Sequence, residues 1–538
     1  MGLFRFNRLA LLSILTCLTL GLAGCSPETT GYSAPAAAPV AKPDVDLSTA
    51  ISVQGQPRET WDAFYLHGTK VGYARTTFRD IEVDGEPGVQ VDSTNTVVVN
   101  RSGQQSAHTI TSTGIETLLG ALVRFQTTLQ SGSSETEFKG EVVGDQLSIA
   151  TGTSGKSTTT NVPWPAAAGG FLALEQSLLR QPIQPGERRT LTGLMTVVNQ
   201  PVVMELTAGT TETTRLLDHS EDLLRVDCNA KLPTGSTITE RLWVNRDGVI
   251  MKRQINALNQ EIYRTTKELA LADVGPARFD LMLDTTVPVN RPLAKPHQTR
   301  KIRYRVQLQA NDPTQVFATS ATQQVQLLDN RTAELIVTAS SLNSPKPETT
   351  AAAPGTVSTA TVAPPVSQTP QEQDSQPNNL IQSDYPKIVA MAKQAAGSET
   401  DPAKVAALLE QCVHRHLQRP NFSQTFATAA ETADSGEGDC TEHSVLLAAL
   451  CRAKGIPARV VIGLVYASTS QGFGYHMWNE VWIDGRWVPL DATLAQGGIG
   501  AAHIKLADSN LHGTTAFSTF LSVSQVIGQL KIEIVEVE

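Results

Sequence analysis

From about residue 51 to 275, apolar and polar positions alternate with a period of two, as expected for strands with one buried face. The stretch ETWDAFYLHGTKVGYARTTFRDIEV sets Trp61, Phe64 and Leu66 before Val71 and Tyr73, with His67, Gly68 and Thr69 between them as a hairpin turn. Comparable runs recur as NTVVVN, VRFQTTLQ, TEFKGEVVGDQLSIA, VVMELTAG, LRVDCNA, ERLWVNRDGVIMKRQI and YRTTKELAL. Together they predict an antiparallel β domain over 51–275. Cys228 alternates with Val226 and Leu224 and reads as a buried small apolar residue. IRYRVQLQ and AELIVTAS carry the same pattern into a smaller β domain over 276–342.

The alternation then stops. NSPKPETTAAAPGTVSTATVAPPVSQTPQEQDSQPNN has no aromatic residue and no period, so it cannot bury a core, and 343–379 is expected to be a disordered linker. From about 380 the period becomes helical. SDYPKIVAMAKQAAG predicts a helix stopped by Gly397, and TDPAKVAALLEQCVHRHLQ another, with Asp401 at its cap and Pro402 in its first position. On that helix Val405, Leu408, Leu409, Cys412 and His416 form one stripe, with Cys412 in the core and His416 at its edge. The chain is thus expected to be multidomain: an N-terminal all-β antiparallel region, a disordered linker, and a C-terminal α+β domain over 380–538.

Composition narrows the function. A formal net charge of −9 gives no basic footprint for nucleic acid, which is set aside as a partner. The first thirty residues place Arg5 and Arg8 before an apolar run from Leu9 to Leu22, the arrangement of a secretory signal peptide over 1–24. Leu22-Ala23-Gly24-Cys25 resembles a bacterial lipobox, which implies cleavage before Cys25 and lipid on its thiol. Residues 25–50, rich in Ala, Pro, Ser and Thr, then form a tether. The implied location is the bacterial cell envelope, lipid-anchored and facing outside the cytoplasm. Ser26 after the lipidated position favours the outer membrane.

Beyond the signal, Cys228, Cys412, Cys440 and Cys451 are too few and too scattered for a disulfide scaffold. Cys412, His414 and His416 lack the second cluster a zinc site needs. No metal and no organic cofactor is implied.

One cysteine stands apart. In GEGDCTEHSVLLAALCRAKGIPARVVIGLVY, Asp439 can cap a helix whose first turn holds Cys440 and whose exit is marked by Gly455 and Pro457. Unpaired N–H groups and the macrodipole at that end favour a thiolate, while Glu437 and Asp439 oppose it, so a cationic partner is required. Cys451 cannot be a disulfide mate, since eleven residues along one helix span about 16 Å. The partner is found in FGYHMWNEVWIDGRWVPLDAT. Asp484-Gly485 is a two-residue hairpin turn that sets Ile483 opposite Arg486 and Trp482 opposite Trp487. Stepping outward, Trp478 faces Asp491 and His476 faces Thr493. His476 and Asp491 are therefore diagonal neighbours on one face, within reach of each other unless Pro489 introduces a bulge. Thiol, imidazole and carboxylate make a nucleophile, a base and an orienter, with the Cys440 backbone N–H as an oxyanion donor. His443 is an alternative base without a carboxylate to orient it. Trp478, Trp482 and Trp487 read as sheet packing, Arg459 as a carboxylate partner or a solvated strand end, and His503 and His512, beyond the motif, as structural.

These blocks, GDCTEHSVLLAALCRAKGIPARVVIGLVY and YHMWNEVWIDGRWVPLDAT, resemble the transglutaminase-like superfamily over roughly the last 160 residues. The resemblance implies a papain-like α+β fold and a Cys440, His476, Asp491 triad. No side chain matches an oxyanion donor, for which Trp478 and Asn479 are candidates. It also implies a cysteine enzyme acting through a thioester on amide bonds of a peptide or protein substrate, as a protease, amidase or transglutaminase. An envelope protein could be held by the β domain. The alternative is a non-catalytic envelope binding or scaffold protein that keeps only the fold.

Overall fold

The computed structural model describes residues 59–538 apart from 102–103, 132–133, 154, 233–236, 256–258, 273–284, 310, 345–368, 422–425 and 514–517. The expected signal peptide, the tether, Cys25 and the greater part of the expected linker lie outside the described residues.

Alternating burial along the chain becomes one large sheet. Fourteen antiparallel strands, β1 (Glu59–Leu66) through β14 (Gln260–Thr265), are ordered from β8 (Lys156–Pro163) back to β1 and then from β14 back to β9 (Arg188–Met195). Two meanders of hairpins thus meet where β1 pairs with β14, Trp61 lying opposite Thr265. Helix α1 (Ala173–Arg180), in the connection from β8 to β9, buries Leu174 and Leu178 and ties the two meanders together. Gln176 Nε2 donates to Glu116 Oε2 at 2.6 Å on one meander, and Glu175 pairs with Arg253 on the other. Cys228 is buried in this sheet, as its alternation suggests.

The β segment expected to stand alone over 276–342 does not. Its strands β15 (Val287–Pro288), β16 (Lys301–Leu308), β17 (Gln323–Asp329), β18 (Thr332–Thr338) and β19 (Ser340–Ser341) all pair within the C-terminal unit. That unit's sheet holds β20 (Ala458–Ala467), β21 (Gly472–Ile483), β22 (Arg486–Leu490) and β24 (His503–Ser509), in the order β15-β21-β20-β24 with β22 beside β21. Strand β23 (Gly498–Ile499) pairs with β19, and β25 (Leu530–Val537), from the chain's end, completes the sheet β17-β18-β16-β25. A run of alternation reports a strand but not its partner, which here comes from more than two hundred residues away.

The expected linker is also too long. Residues 369–379 belong to the folded body: Asp374, Asn378 and Asn379 are buried. Asn378 Oδ1 accepts from the backbone N–H groups of Leu380 and Ile381, and Asn379 Nδ2 donates to Thr153 Oγ1 of the large sheet. Polar residues that cannot build a core can still satisfy buried backbone groups.

Helices α2 (Pro386–Ala396), α3 (Pro402–His416) and α4 (Ala429–Ser435) pack against α5 (Cys440–Ala453), which lies on β20 and β21. Gly397 ends α2, and Asp401 caps α3 by accepting from Ala403 and Lys404 N–H groups, with Pro402 opening the helix. The buried arc of α3 is displaced from the expected stripe. Val405, Ala406, Leu409, Glu410 and Val413 are buried, Leu408 is exposed and Cys412 is only partly covered. The Glu410 carboxyl group is tolerated in the core because its Oε2 accepts the Gly497 N–H at 2.9 Å.

Candidate functional site

Helix α5 begins with a capping box. Asp439 Oδ1 accepts from the Thr441 N–H and Glu442 Oε2 from the Asp439 N–H, which fixes the first turn and with it Cys440. The second carboxyl oxygen of Glu442 accepts from the Ala427 N–H, anchoring the helix start to the preceding segment. Burial and the Asp439 charge push the Glu442 carboxyl above the ordinary carboxylate range.

The hairpin of β21 and β22 turns at Asp484 and Gly485, both at positive φ (54° and 78°), as a two-residue turn of this type demands. Its pairing runs without a shift from Ile483 opposite Arg486, through Trp482 opposite Trp487, to Asn479 opposite Leu490. Pro489 causes no bulge, because β22 lies at a sheet edge where a missing N–H is tolerated. Asp491 follows directly on β22. The His476 Nε2–H donates to Asp491 Oδ2 at 2.8 Å. Thr493 holds the other oxygen, Oδ1, through its backbone N–H at 2.9 Å and its hydroxyl.

Cys440, His476 and Asp491 are 2%, 1% and 0% exposed. Burial and the neighbouring Asp439 carboxylate push the Cys440 thiol above its ordinary range, against the pull of His476. The helix end therefore does not by itself yield the depressed thiol that its dipole suggests. Burial also disfavours the His476 imidazolium, but the Asp491 carboxylate outweighs it and, together with the Cys440 sulfur, lifts His476 to about 10. Burial works against the Asp491 charge as well, and the two histidines around it hold its carboxyl well below the usual range. With Nε2 on Asp491, Nδ1 is the His476 nitrogen left for the thiol.

The second of those histidines is His503. Its Nε2–H donates to the same Asp491 oxygen at 3.2 Å, so a residue read from sequence as structural belongs to the site. No local signal in the sequence could have placed it, since β24 reaches Asp491 only by pairing with β20, His503 opposite Val465.

The other candidates divide. Trp478 stacks on His476, with centroids 6.3 Å apart at 23°, and meets His503 edge-on at 5.3 Å. It therefore walls the site as well as packing the sheet. Asn479 Nδ2 donates to the Ser444 carbonyl on α5 at 2.9 Å, so this expected oxyanion candidate is committed to tying helix to strand. His443 Nδ1 donates to the Asp439 carbonyl at 2.6 Å, a backbone acceptor in place of a carboxylate, and burial pushes its pKa down. Trp482 and Trp487 pack edge to face at 5.4 Å. Arg459 pairs with Glu480 at 2.6 Å and Asp508 at 2.9 Å, and Lys505 joins both carboxylates at 2.8 and 2.7 Å. This buried network cross-links β20, β21 and β24, the strands that carry or support the two site histidines.

His476, Asp491 and His503 also form the one group among the described residues with metal-ligand spacing, their donor atoms lying within 4.8 Å of one another. The Nε2 atoms of both histidines and both Asp491 oxygens are engaged in the hydrogen bonds given above. Among the described residues, no helix is long and apolar enough to cross a membrane.

No curated protein matches the chain. Among solved structures, a candidate cysteine protease from Cytophaga hutchinsonii is 15% identical over 45% of this chain and 90% of its own, with a TM-score of 0.26. A β-barrel-like protein of a domain of unknown function from Brucella abortus is 9% identical over 38% of this chain and 94% of its own, with a TM-score of 0.30. The periplasmic domain of TgpA from Pseudomonas aeruginosa, bound to ethylmercury, is 17% identical over 37% of this chain and 91% of its own, with a TM-score of 0.19. The model of the transglutaminase-like superfamily matches residues 389–492, the segment that holds Cys440, His476 and Asp491. The C-terminal unit of this chain thus carries a transglutaminase-like domain.

Proposed function

We propose that the chain is a cysteine enzyme that acts on amide bonds of peptides or proteins through a thioester. The observation that carries this reading is the placement of His476 between the Asp491 carboxylate, at 2.8 Å, and the Cys440 thiol at a capped helix start. The reactive form of the Cys440–His476 pair holds a single proton between them, on His476 Nδ1, so the thiolate attacks the carbonyl carbon and the carbonyl oxygen becomes an oxyanion. The backbone N–H of Cys440, in the first turn of α5 where no intrahelical acceptor serves it, is its donor. The C–N bond then breaks as the imidazolium returns its proton to the leaving amine. Water resolves the thioester with His476 as base, giving a carboxylic acid and the thiol; an amine in place of water gives a new amide. Asp491 stays ionised throughout and supports the imidazolium.

The lipobox-like Leu22-Ala23-Gly24-Cys25 supports an envelope lipoprotein tethered through Cys25, with the large sheet available to an envelope protein. Replacement of Cys25 by Ser then abolishes lipid labelling; unchanged labelling in that variant refutes the anchor.

A non-catalytic binding or scaffold role is favoured by one observation, the almost complete burial of the thiol, since a substrate carbonyl must touch Sγ. Thiol labelling separates the two readings. A small electrophile at neutral pH, with sites read by mass spectrometry, should modify Cys440 in preference to Cys412 and Cys451, and peptides carrying an acyl trap should form an adduct on Cys440. Labelling of Cys412 with Cys440 untouched would overturn the catalytic reading.

A further inference from the structure

We propose that His503 is a positioning residue of this site, which moderates the grip of Asp491 on His476 by taking a share of the same carboxylate oxygen. This rests on the catalytic reading above and deepens it. Asp491 Oδ2 accepts from His476 Nε2 at 2.8 Å and from His503 Nε2 at 3.2 Å. Oδ1 accepts twice from Thr493. A carboxylate with four donors is fixed in its plane, and its charge is divided among them. His476 receives only part of the pull that it would feel from an otherwise unshared Oδ2.

Division of labour between the rings follows from their surroundings. His503 faces Asp491, His476 and, at 5.8 Å, His297 on the segment before β16. His476 faces Asp491, Cys440 and His503. Asp491 has His443 and Glu410 as its further titratable neighbours. Two imidazolium rings on one carboxylate repel each other, so one ring carries the charge. Burial holds His503 down despite its bond to Asp491, and burial with the nearby His503 takes His297 to about 4. The proton therefore resides on His476, while His503 serves as a neutral N–H donor. A general acid that must hand its proton to a leaving amine gains from such moderation, because Asp491 alone would hold the imidazolium too firmly.

Several contacts keep His503 in place. Trp478 lies against both rings, and the backbones of Gly500 and His297 approach so closely that a Cβ at position 500 would stand 2.5 Å from the His297 carbonyl oxygen. His297 and His503 both lie outside the family-matched segment 389–492, so the complete site depends on chain before and after it.

The test uses the full chain with ¹⁵N-labelled histidine rings and the variants His503→Phe, which keeps bulk without a donor, and His503→Gln, which keeps an N–H. The His476 ring titration should move up by about half a unit or more in His503→Phe and stay within a few tenths in His503→Gln. A purely structural role would not make the shift follow the donor. Should His503→Phe fail to fold by thermal melt, the wild-type spectrum decides: His503 must stay neutral with its proton on Nε2 from pH 5 to 8, and a charged His503 in that range overturns the proposal. Iodoacetamide labelling of Cys440 in the same samples keeps the two readings apart. Labelled Cys440 with an identical His476 titration in all three proteins sinks the role of His503 alone, whereas Cys440 left unlabelled while Cys412 reacts sinks the catalytic reading beneath it.

Discussion

Asp491 stands one residue beyond the end of β22, yet its Oδ2 meets His476 Nε2, five positions inside β21, at 2.8 Å. The two are joined by the pairing register of one hairpin, and adjacent residues of that hairpin should fail in different ways. Asp491→Asn keeps the size of the side chain but loses the charge that supports the imidazolium, and turnover should fall by about 10²–10⁴-fold, by analogy with other triads. Near pH 10, where the pair's contribution to stability is lost, its melting temperature should move less than that of Leu490→Asn. Leu490 is fully buried, as are Met477, Val481 and Val488, so Leu490→Asn places an amide in an apolar core and should cost on the order of 3 kcal/mol. A turnover assay and a melt on both variants check this. The reverse pattern, with Asp491→Asn unfolded and Leu490→Asn folded but inactive, would refute the assignment.

The same pair sets a pH dependence of stability. His476 is raised to about 10 in the folded protein, with Asp491 as its partner, against about 6.5 in the unfolded chain. Its stabilising contribution is complete below about 6.5 and is lost as the pH rises towards 10. Asp491, held below its ordinary range, contributes above about 3.9 and loses this as the pH falls through its folded value. The gap in melting temperature between wild type and Asp491→Asn should therefore be widest between about pH 4 and 6.5. It should narrow steadily towards pH 10. A gap that widens between pH 7 and 10 would show that His476 is not the group responsible.

The parts of this site legible in the sequence are those set by neighbours along the chain. Asp484-Gly485 fixed the register that brings His476 to Asp491, and Asp439 fixed where α5 starts. Asp401 and Pro402 likewise marked the start of α3. What escaped depends on distant pairing or on compensation by a single backbone group. His503 reaches Asp491 because β24 pairs with β20, and no turn connects those strands directly. Glu410 looks like a solvated helical residue until the Gly497 N–H is seen to meet it. The strands between 301 and 342 alternate clearly, but alternation does not say that β25 is their partner.

Glu410 gives a prediction with the opposite sign to His476. Burial raises its carboxyl to about 8, so at neutral pH it is largely a neutral acid that accepts from the Gly497 N–H. A raised acid costs the fold stability as the pH climbs from about 4.5 to 8, where the unfolded chain ionises first. Glu410→Gln mimics the neutral acid and removes this cost, so its melting temperature relative to wild type should rise across that interval and level off above it. Glu410→Leu also removes the titration but leaves the Gly497 N–H without this acceptor, and it should be about 1–3 kcal/mol less stable than Glu410→Gln at any pH. A constant difference between Glu410→Gln and wild type from pH 5 to 8 would refute the raised carboxyl.

The final prediction concerns the chain's end. β25 pairs with β16 from Ile302 opposite Val537 to Leu308 opposite Leu530, and on its other side β16 pairs with β18. Ile302, Tyr304, Val306, Ile532 and Ile534 are buried together in that sheet. Tyr304 also donates its hydroxyl proton to the Ala501 carbonyl at 2.9 Å, two residues before His503. Removing residues 530–538 would turn β16 into an exposed edge with an uncovered apolar face, which invites aggregation. Loss of β16 order would then reach the site through Ala501. Protein ending at residue 529 should be cut by protease within 301–342 sooner than the full chain, and its Cys440 should label with altered kinetics. A chain beginning at residue 369 would strand β25 without β16 and should behave no better, although it spans the whole family match at 389–492. Limited proteolysis, size-exclusion chromatography and Cys440 labelling on both truncations measure this. A well-folded, monomeric 369–538 fragment with wild-type labelling would show that the strands between 301 and 342 are dispensable to the site.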